Sequence, residues 1–159
     1  MVYRYWLLII YGICLIKFIE EQDINDVLIL GQDLYKESEV FNKYKYNNEK
    51  FKSFLEMITK DPYHCGILAY RKDKLIGMIL GCVSEIFFSK DRILEEYVVF
   101  VDKKYRGSKF VFKMMNLWID WGASHNVKDA WIYHTSGIGT DKFFKHIGFN
   151  EIGTVLRRK

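Results

Sequence analysis

The chain reads as an α+β domain, a three-layer α/β/α arrangement around a mixed, mostly antiparallel sheet. Three observations lead there. The hydrophobic period is helical over 24–35 and 51–58, becomes strand-like from 66 to 101, and is helical again from 110. The apolar runs between 66 and 101 are separated by the short polar turns "RKDK" (71–74) and "SKDR" (89–92), which makes an antiparallel meander. Half of the 159 residues are apolar and 17% are aromatic, enough for one well-packed domain and not for a disordered chain.

Each element follows from local pattern. "YWLLIIYGICLI" (5–16) is a 12-residue apolar run, short of the ~20 residues a membrane span requires. No small-residue cleavage site follows it, so it does not read as a signal peptide. Residues 1–12 are taken as a hydrophobic N-terminal extension and "ICLIKFIE" (13–20) as the first strand of a single domain, 13–159. Asp23 caps a helix whose apolar residues Ile24, Val27, Leu28, Leu34 and Tyr35 recur at helical spacing. "SEVFNKYKYNN" (38–48) is a loop, with Tyr44 and Tyr46 interleaved with Lys43 and Lys45. Asn48 caps a second helix carrying Phe51, Phe54, Leu55 and Ile58.

The strands are "GILAY" (66–70), "LIGMILGCVSEIFF" (75–88) and "ILEEYVVFV" (93–101). Phe110, Val111, Met114, Leu117, Trp118 and Trp121 mark a third helix, with Trp118 and Trp121 packed on the sheet, and Asn126 stops it. "DAWIYH" (129–134) is a strand, "TDKFFKHIGF" (140–149) a short helix closed by Gly148, and "EIGTVLRR" (151–158) a last strand. The order is β-α-α-β-β-β-α-β-α-β, with a parallel strand–helix–strand unit over 93–134.

Charge narrows the partners. A net +4 suits an anionic ligand and falls short of a dedicated nucleic-acid binder. Nucleic acid and membrane are not expected partners, though a nucleic-acid contact through the basic, aromatic loop stays open. Cys14, Cys65 and Cys82 are scattered and odd in number, pointing to a reducing, cytoplasmic compartment without a disulfide framework. No cysteine pair has zinc-ligand spacing, His64 beside Cys65 reads as a chance neighbour, and no metal is expected.

The chemistry concentrates at "VDKKYRGSKFVFKMM" (101–115), where a strand hands over to a helix. A helix N-terminus carries unpaired N–H groups and about half a positive charge, which suits phosphate. Arg106 and Lys109 add charge, Ser108 a hydroxyl and Gly107 close backbone approach. A merely solvated basic turn is the competing reading.

This run, the order of elements and "FFKHIGF" near the C-terminus resemble the GNAT superfamily of N-acyltransferases, from about Ile13 onward, in a divergent form. The resemblance implies an acyl-CoA N-acyltransferase fold with acetyl-CoA as co-substrate. Val99 and Val101 would contact pantetheine, and Arg106, Gly107, Ser108, Lys109, Phe110 and Val111 would form the pyrophosphate loop. The family pattern has glycine where Lys109 stands and glycine or alanine where Val111 stands. Glu95 falls where several family members keep a catalytic glutamate, and strand alternation turns Glu95 and Glu96 to opposite faces. The family's acid, a tyrosine, is replaced by Phe144. Ser136 is taken as the substitute; it follows the 129–134 strand together with Thr135, and Tyr133, His134 and His146 are further candidates.

The expected activity is acetyl transfer to a primary amine of a small molecule or protein, directly in a ternary complex. A catalytically inactive CoA-binding or protein-interaction module of the same fold stays open, and so does a homodimer.

Overall fold

The computed structural model describes residues 9–11, 14–133, 135–139 and 141–158. Six strands form one sheet in chain order: β1 (Ile9–Tyr11), β2 (Cys14–Phe18), β3 (His64–Arg71), β4 (Lys74–Glu85), β5 (Arg92–Val101) and β6 (Val127–Trp131). Neighbours are antiparallel except β5 and β6, which are parallel, as a strand–helix–strand unit requires. Three residues of the apolar extension thus join the sheet, pairing Ile9–Tyr11 with Cys14–Ile16.

Two helices cover each face. Helices α1 (Ile24–Glu37) and α2 (Asn48–Lys60) bury Val27, Leu34, Leu55 and Ile58 against Leu68, Met78, Leu80 and Phe100. Helices α3 (Phe110–Ala123) and α4 (Asp141–His146) cover the opposite face, packing Met114, Trp118 and Phe144 with Ile76, Ile79 and Leu94. Trp118 is fully buried, and Trp121 packs half-buried against this cluster. Asn126 closes α3 at φ 57°, a left-handed conformation asparagine tolerates, and Gly148 follows α4 at φ 100°.

Three expectations are corrected. The cap of α2 is Asn47, whose Oδ1 accepts the Lys50 N–H at 2.9 Å; Asn48 is the first helical residue. Asn47→Ala is expected to cost about 1 kcal/mol of stability, measured by urea unfolding. Asp23 stands at the start of α1 without capping it. Its buried carboxylate instead accepts the Glu20 N–H at 2.8 Å and the Tyr70 hydroxyl at 2.9 Å. Residues 151–158 form no strand, because Ile152, Val155 and Leu156 do not alternate and so offer no single face to bury. All three side chains are exposed.

Candidate active site

The register of the meander assembles the site. Glu96 is directly opposite Gly81, and a Cβ on Gly81 would stand 2.6 Å from the Trp118 indole nitrogen, so Glu96 lies on the α3 side. Glu95, opposite Cys82, takes the α1/α2 side. The two glutamates therefore part as alternation requires. The Glu95 carboxylate is half-buried and accepts two hydroxyls, Ser84 on β4 and Tyr133 just beyond β6. Burial and the Glu95 carboxylate push the Tyr133 phenol up to about 12, so it stays protonated at neutral pH.

On the same side, the Tyr97 hydroxyl is 3.0 Å from His64 Nε2, and the two rings stack with centroids 5.9 Å apart. Burial raises the Cys82 thiol and the Tyr97 phenol above their ordinary values. Glu96 is 7% exposed. Its Oε1 accepts the Tyr133 N–H at 3.0 Å, and its Oε2 is buried with no partner among the described residues. Burial raises its carboxyl to about 7 against the opposing pull of that hydrogen bond.

A gap opens beside this cluster. Strand β6 pairs with β5 only over Arg92–Glu95, whereas β5 continues to Val101. The Asp102 N–H donates to Ile76 O on β4 at 2.9 Å. By alternation, the backbone groups of Val99 and Val101 point away from β4, into the gap. The Val101 carbonyl already accepts Arg106 Nε at 3.0 Å.

The turn after β5 is organised differently from a bare basic loop. Both terminal nitrogens of Arg106 grip the Glu37 carboxylate at the end of α1, at 2.5 and 2.8 Å, and the guanidinium lies over the Phe100 ring. The hydrogen bonds from Arg106 hold the Glu37 carboxyl below its ordinary value. Arg106 thus ties the turn to α1, while Lys109 is exposed at the helix start. Gly107 has φ +77° and open space where a Cβ would stand, so a ligand can approach its backbone. Ser108 is half-buried, and its carbonyl accepts the Val111 N–H at 3.2 Å. Phe110 and Val111 turn their side chains into the core. Strand gap and Gly107 fit an extended, phosphate-bearing arm; Lys109 and Val111 leave less room than glycines would.

Two comparisons bear on these features. A family model for the acetyltransferase (GNAT) family matches residues 31–149. The chain belongs to the GNAT family. No curated protein sequence matches it. Among solved structures, the aminoglycoside acetyltransferase AAC(6')-Iy, in complex with the bisubstrate analog CoA-S-monomethyl-acetylneamine, is similar at TM-score 0.75 and 14% identity, over 92% of this chain and 97% of that one. Glucosamine-6-phosphate N-acetyltransferase from Arabidopsis thaliana superposes at TM-score 0.72 and 15% identity, over 92% and 97%. An aminoglycoside acetyltransferase from an uncultured soil metagenomic sample, in complex with trehalose, gives 0.72 and 13%, over 93% and 95%. Identities this low establish the shared GNAT fold.

Within the GNAT frame, Phe144 is 7% exposed in the core under α4 and cannot act as an acid. Ser136 is held near the end of α1: its carbonyl accepts the Ser38 hydroxyl at 2.5 Å and its Oγ the Ile138 N–H at 3.4 Å. Thr135 donates its N–H to Tyr133 O at 2.7 Å. His146 is exposed beside Phe112, and His134 lies outside the described residues. Glu95 is therefore joined by Tyr133 rather than by Ser136. The sequence pattern did not single out Ser84 and gave His64 only as a chance neighbour of Cys65; the signal for both is the hairpin register, which stacks 82, 84, 95 and 64 on one face.

A cavity of about 240 Å³ lies on the α1/α2 side, lined by Gly31, Leu34, Tyr35, Phe41, Tyr46, Phe51, Phe54, Leu80, Tyr97 and Val98. A bulge at Leu80/Gly81 lets both Tyr97 and Val98 reach it.

Proposed function

We propose that the protein is an acetyl-CoA-dependent N-acetyltransferase acting on a primary amine. The observation that carries this reading is Glu95, fixed by Ser84 and Tyr133 on the cavity side at the foot of the β5–β6 gap. The co-substrate supplies an acetyl group activated as a thioester. The backbone of Val99 and Val101 orients its extended arm, and Gly107, Ser108 and Lys109 face the phosphates. Glu95 takes the proton that the amine nitrogen loses as the C–N bond forms and the C–S bond breaks. Tyr133, protonated and bonded to Glu95, is the donor favoured for the departing thiolate. Ser136, whose hydroxyl hydrogen remains able to donate, stands second. The three free, buried cysteines accord with a reducing, cytoplasmic setting.

The relatives act on aminoglycosides and on glucosamine 6-phosphate, so a small-molecule amine is the favoured acceptor here, with a protein amine the other. Phe144 in place of the family tyrosine favours the second reading, a CoA-binding module without catalysis.

Thermal unfolding with CoA, together with release of free CoA thiol over a panel of amines, tests both readings. Ligand at 100 times its Kd stabilises by ~2.7 kcal/mol. Stabilisation with thiol release is expected. Stabilisation without release leaves the module, and neither effect ends the assignment.

The turn makes its own prediction. Arg106→Lys should weaken CoA binding as much as Arg106→Ala, because lysine cannot make the two-pronged contact with Glu37. Lys109→Ala should weaken it about two- to five-fold at low ionic strength, a difference that shrinks at ~1 M salt. Isothermal titration at two salt concentrations reads both.

A further inference from the structure

We infer that Glu96 is the spacer that holds β6 away from β5 and so keeps open the gap for the acyl-CoA arm, a positioning role separate from the base assigned to Glu95. The use of the gap rests on the acetyltransferase reading; the spacing rests on backbone geometry. The β5–β6 ladder ends at Glu95 and Trp131. A parallel pair continuing in that register would add one more rung. The Glu95 carbonyl lies toward β4, 2.6 Å from where a Gly81 Cβ would stand. Backbone groups alternate along a strand, so Glu96 turns its own N–H and C=O toward β6. Its carbonyl is the next acceptor for the Tyr133 N–H. That N–H instead donates to Glu96 Oε1 at 3.0 Å. The side chain takes the place of the carbonyl of the same residue, and the rung lengthens by the reach of a carboxylate arm. Strands joined in this way splay, and β5 runs on to Val101 without β6 beside it.

The arm is itself held. Glu96 is buried directly across from Gly81, and the Trp118 ring fills the space a Gly81 side chain would take. The buried Trp118 indole N–H, without a partner among the described residues, comes up to that same glycine. An apolar residue would occupy this place at less cost than an acid. The N–H that the carboxylate holds accounts for its presence. Neighbouring glutamates on opposite faces thus grip one residue at two points: Glu95 takes the Tyr133 hydroxyl, and Glu96 takes its backbone N–H.

The test compares Glu96→Gln, Glu96→Val and Glu96→Asp in the full chain, by calorimetric titration with CoA and by the crystal structure of the ligand-free valine variant. Glutamine keeps an acceptor on an arm of the same length and should bind CoA within about two-fold of wild type. Valine suits a strand and removes the buried acid, so it should fold at least as stably, yet it offers no acceptor. Its Tyr133 N–H should move to the carbonyl of residue 96 and draw β6 inward. The CoA Kd should then rise about ten-fold, the worth of one or two lost hydrogen bonds. A merely structural role for Glu96 predicts instead that valine binds CoA as well as glutamine does. Aspartate, with the same charge on a shorter arm, should fall between them, and it decides should valine fail to fold: affinity equal to that of glutamine then counts against the spacer. A valine variant whose ladder still ends at residue 131, or whose CoA affinity stays within about two-fold of wild type, overturns the inference. If the wild type binds no CoA, the acetyltransferase reading fails, and the valine structure alone decides whether Glu96 holds the strands apart.

Discussion

Glu95→Gln is expected to lower kcat by about 10²–10⁴-fold, the range a positioned base contributes. The CoA dissociation constant should stay within about two-fold, because the side chain faces the cavity and not the strand gap whose backbone orients the arm. Glutamine is the informative replacement. It keeps the volume and one acceptor oxygen for Ser84 or Tyr133, so loss of rate is not loss of shape. Alkalinity should rescue the variant in part, since raising pH generates neutral amine in solution and removes the step Glu95 performs. Steady-state kinetics from pH 6 to 9.5 read this directly, with kcat/KM of the variant rising toward the pKa of the amine while the wild type levels off. Tyr133→Phe should cost less than Glu95→Gln, because water can protonate a thiolate. An unchanged kcat in Glu95→Gln would remove Glu95 from the mechanism and leave the CoA-binding module as the better account.

What the sequence disclosed, and what it hid, divides along distance in the chain. Helices α1, α2 and α3 were visible because Val27, Leu34, Phe54, Leu55, Met114 and Trp118 repeat at a local period that burial enforces. The meander was visible for the same reason, and so was the parting of Glu95 from Glu96. The partners of those glutamates were not. Tyr133 meets Glu95 across 38 positions, and Arg106 meets Glu37 across 69. Neither contact has a periodic signature; both need the sheet built first. The bulge at Leu80/Gly81 is a further reason. Simple alternation through it would put Tyr97 and Val98 on opposite faces, whereas both line one cavity. The last strand failed differently: "EIGTVLRR" has strand-forming residues without strand spacing, and composition alone does not bury a face.

Glu96→Gln is expected to stabilise the protein at alkaline pH and to be neutral under acid conditions. The Glu96 carboxyl is raised from 4.5 to about 7 by burial, with one oxygen unpartnered among the described residues. Between those values the folded chain holds a proton the unfolded chain has lost, so wild-type stability falls as pH rises through that window. Below about pH 4.5 both states are protonated and burial of the neutral acid costs little extra. Above about pH 7 the folded state carries the charge in full, at a cost of about 3 kcal/mol. Glutamine never ionises and keeps an oxygen for the Tyr133 N–H, so the variant should escape that loss. At pH 8 it should melt about 5–10 °C above the wild type, and near pH 4.5 the two should coincide. Thermal scans at half-unit steps from pH 4.5 to 8.5 measure the difference curve. A constant offset across that range would mean that Glu96 does not ionise in its buried place. Catalysis supplies the contrast, because Glu96 lies on the α3 side of the sheet: kcat of Glu96→Gln should stay near wild type at a pH where Glu95→Gln has nearly none.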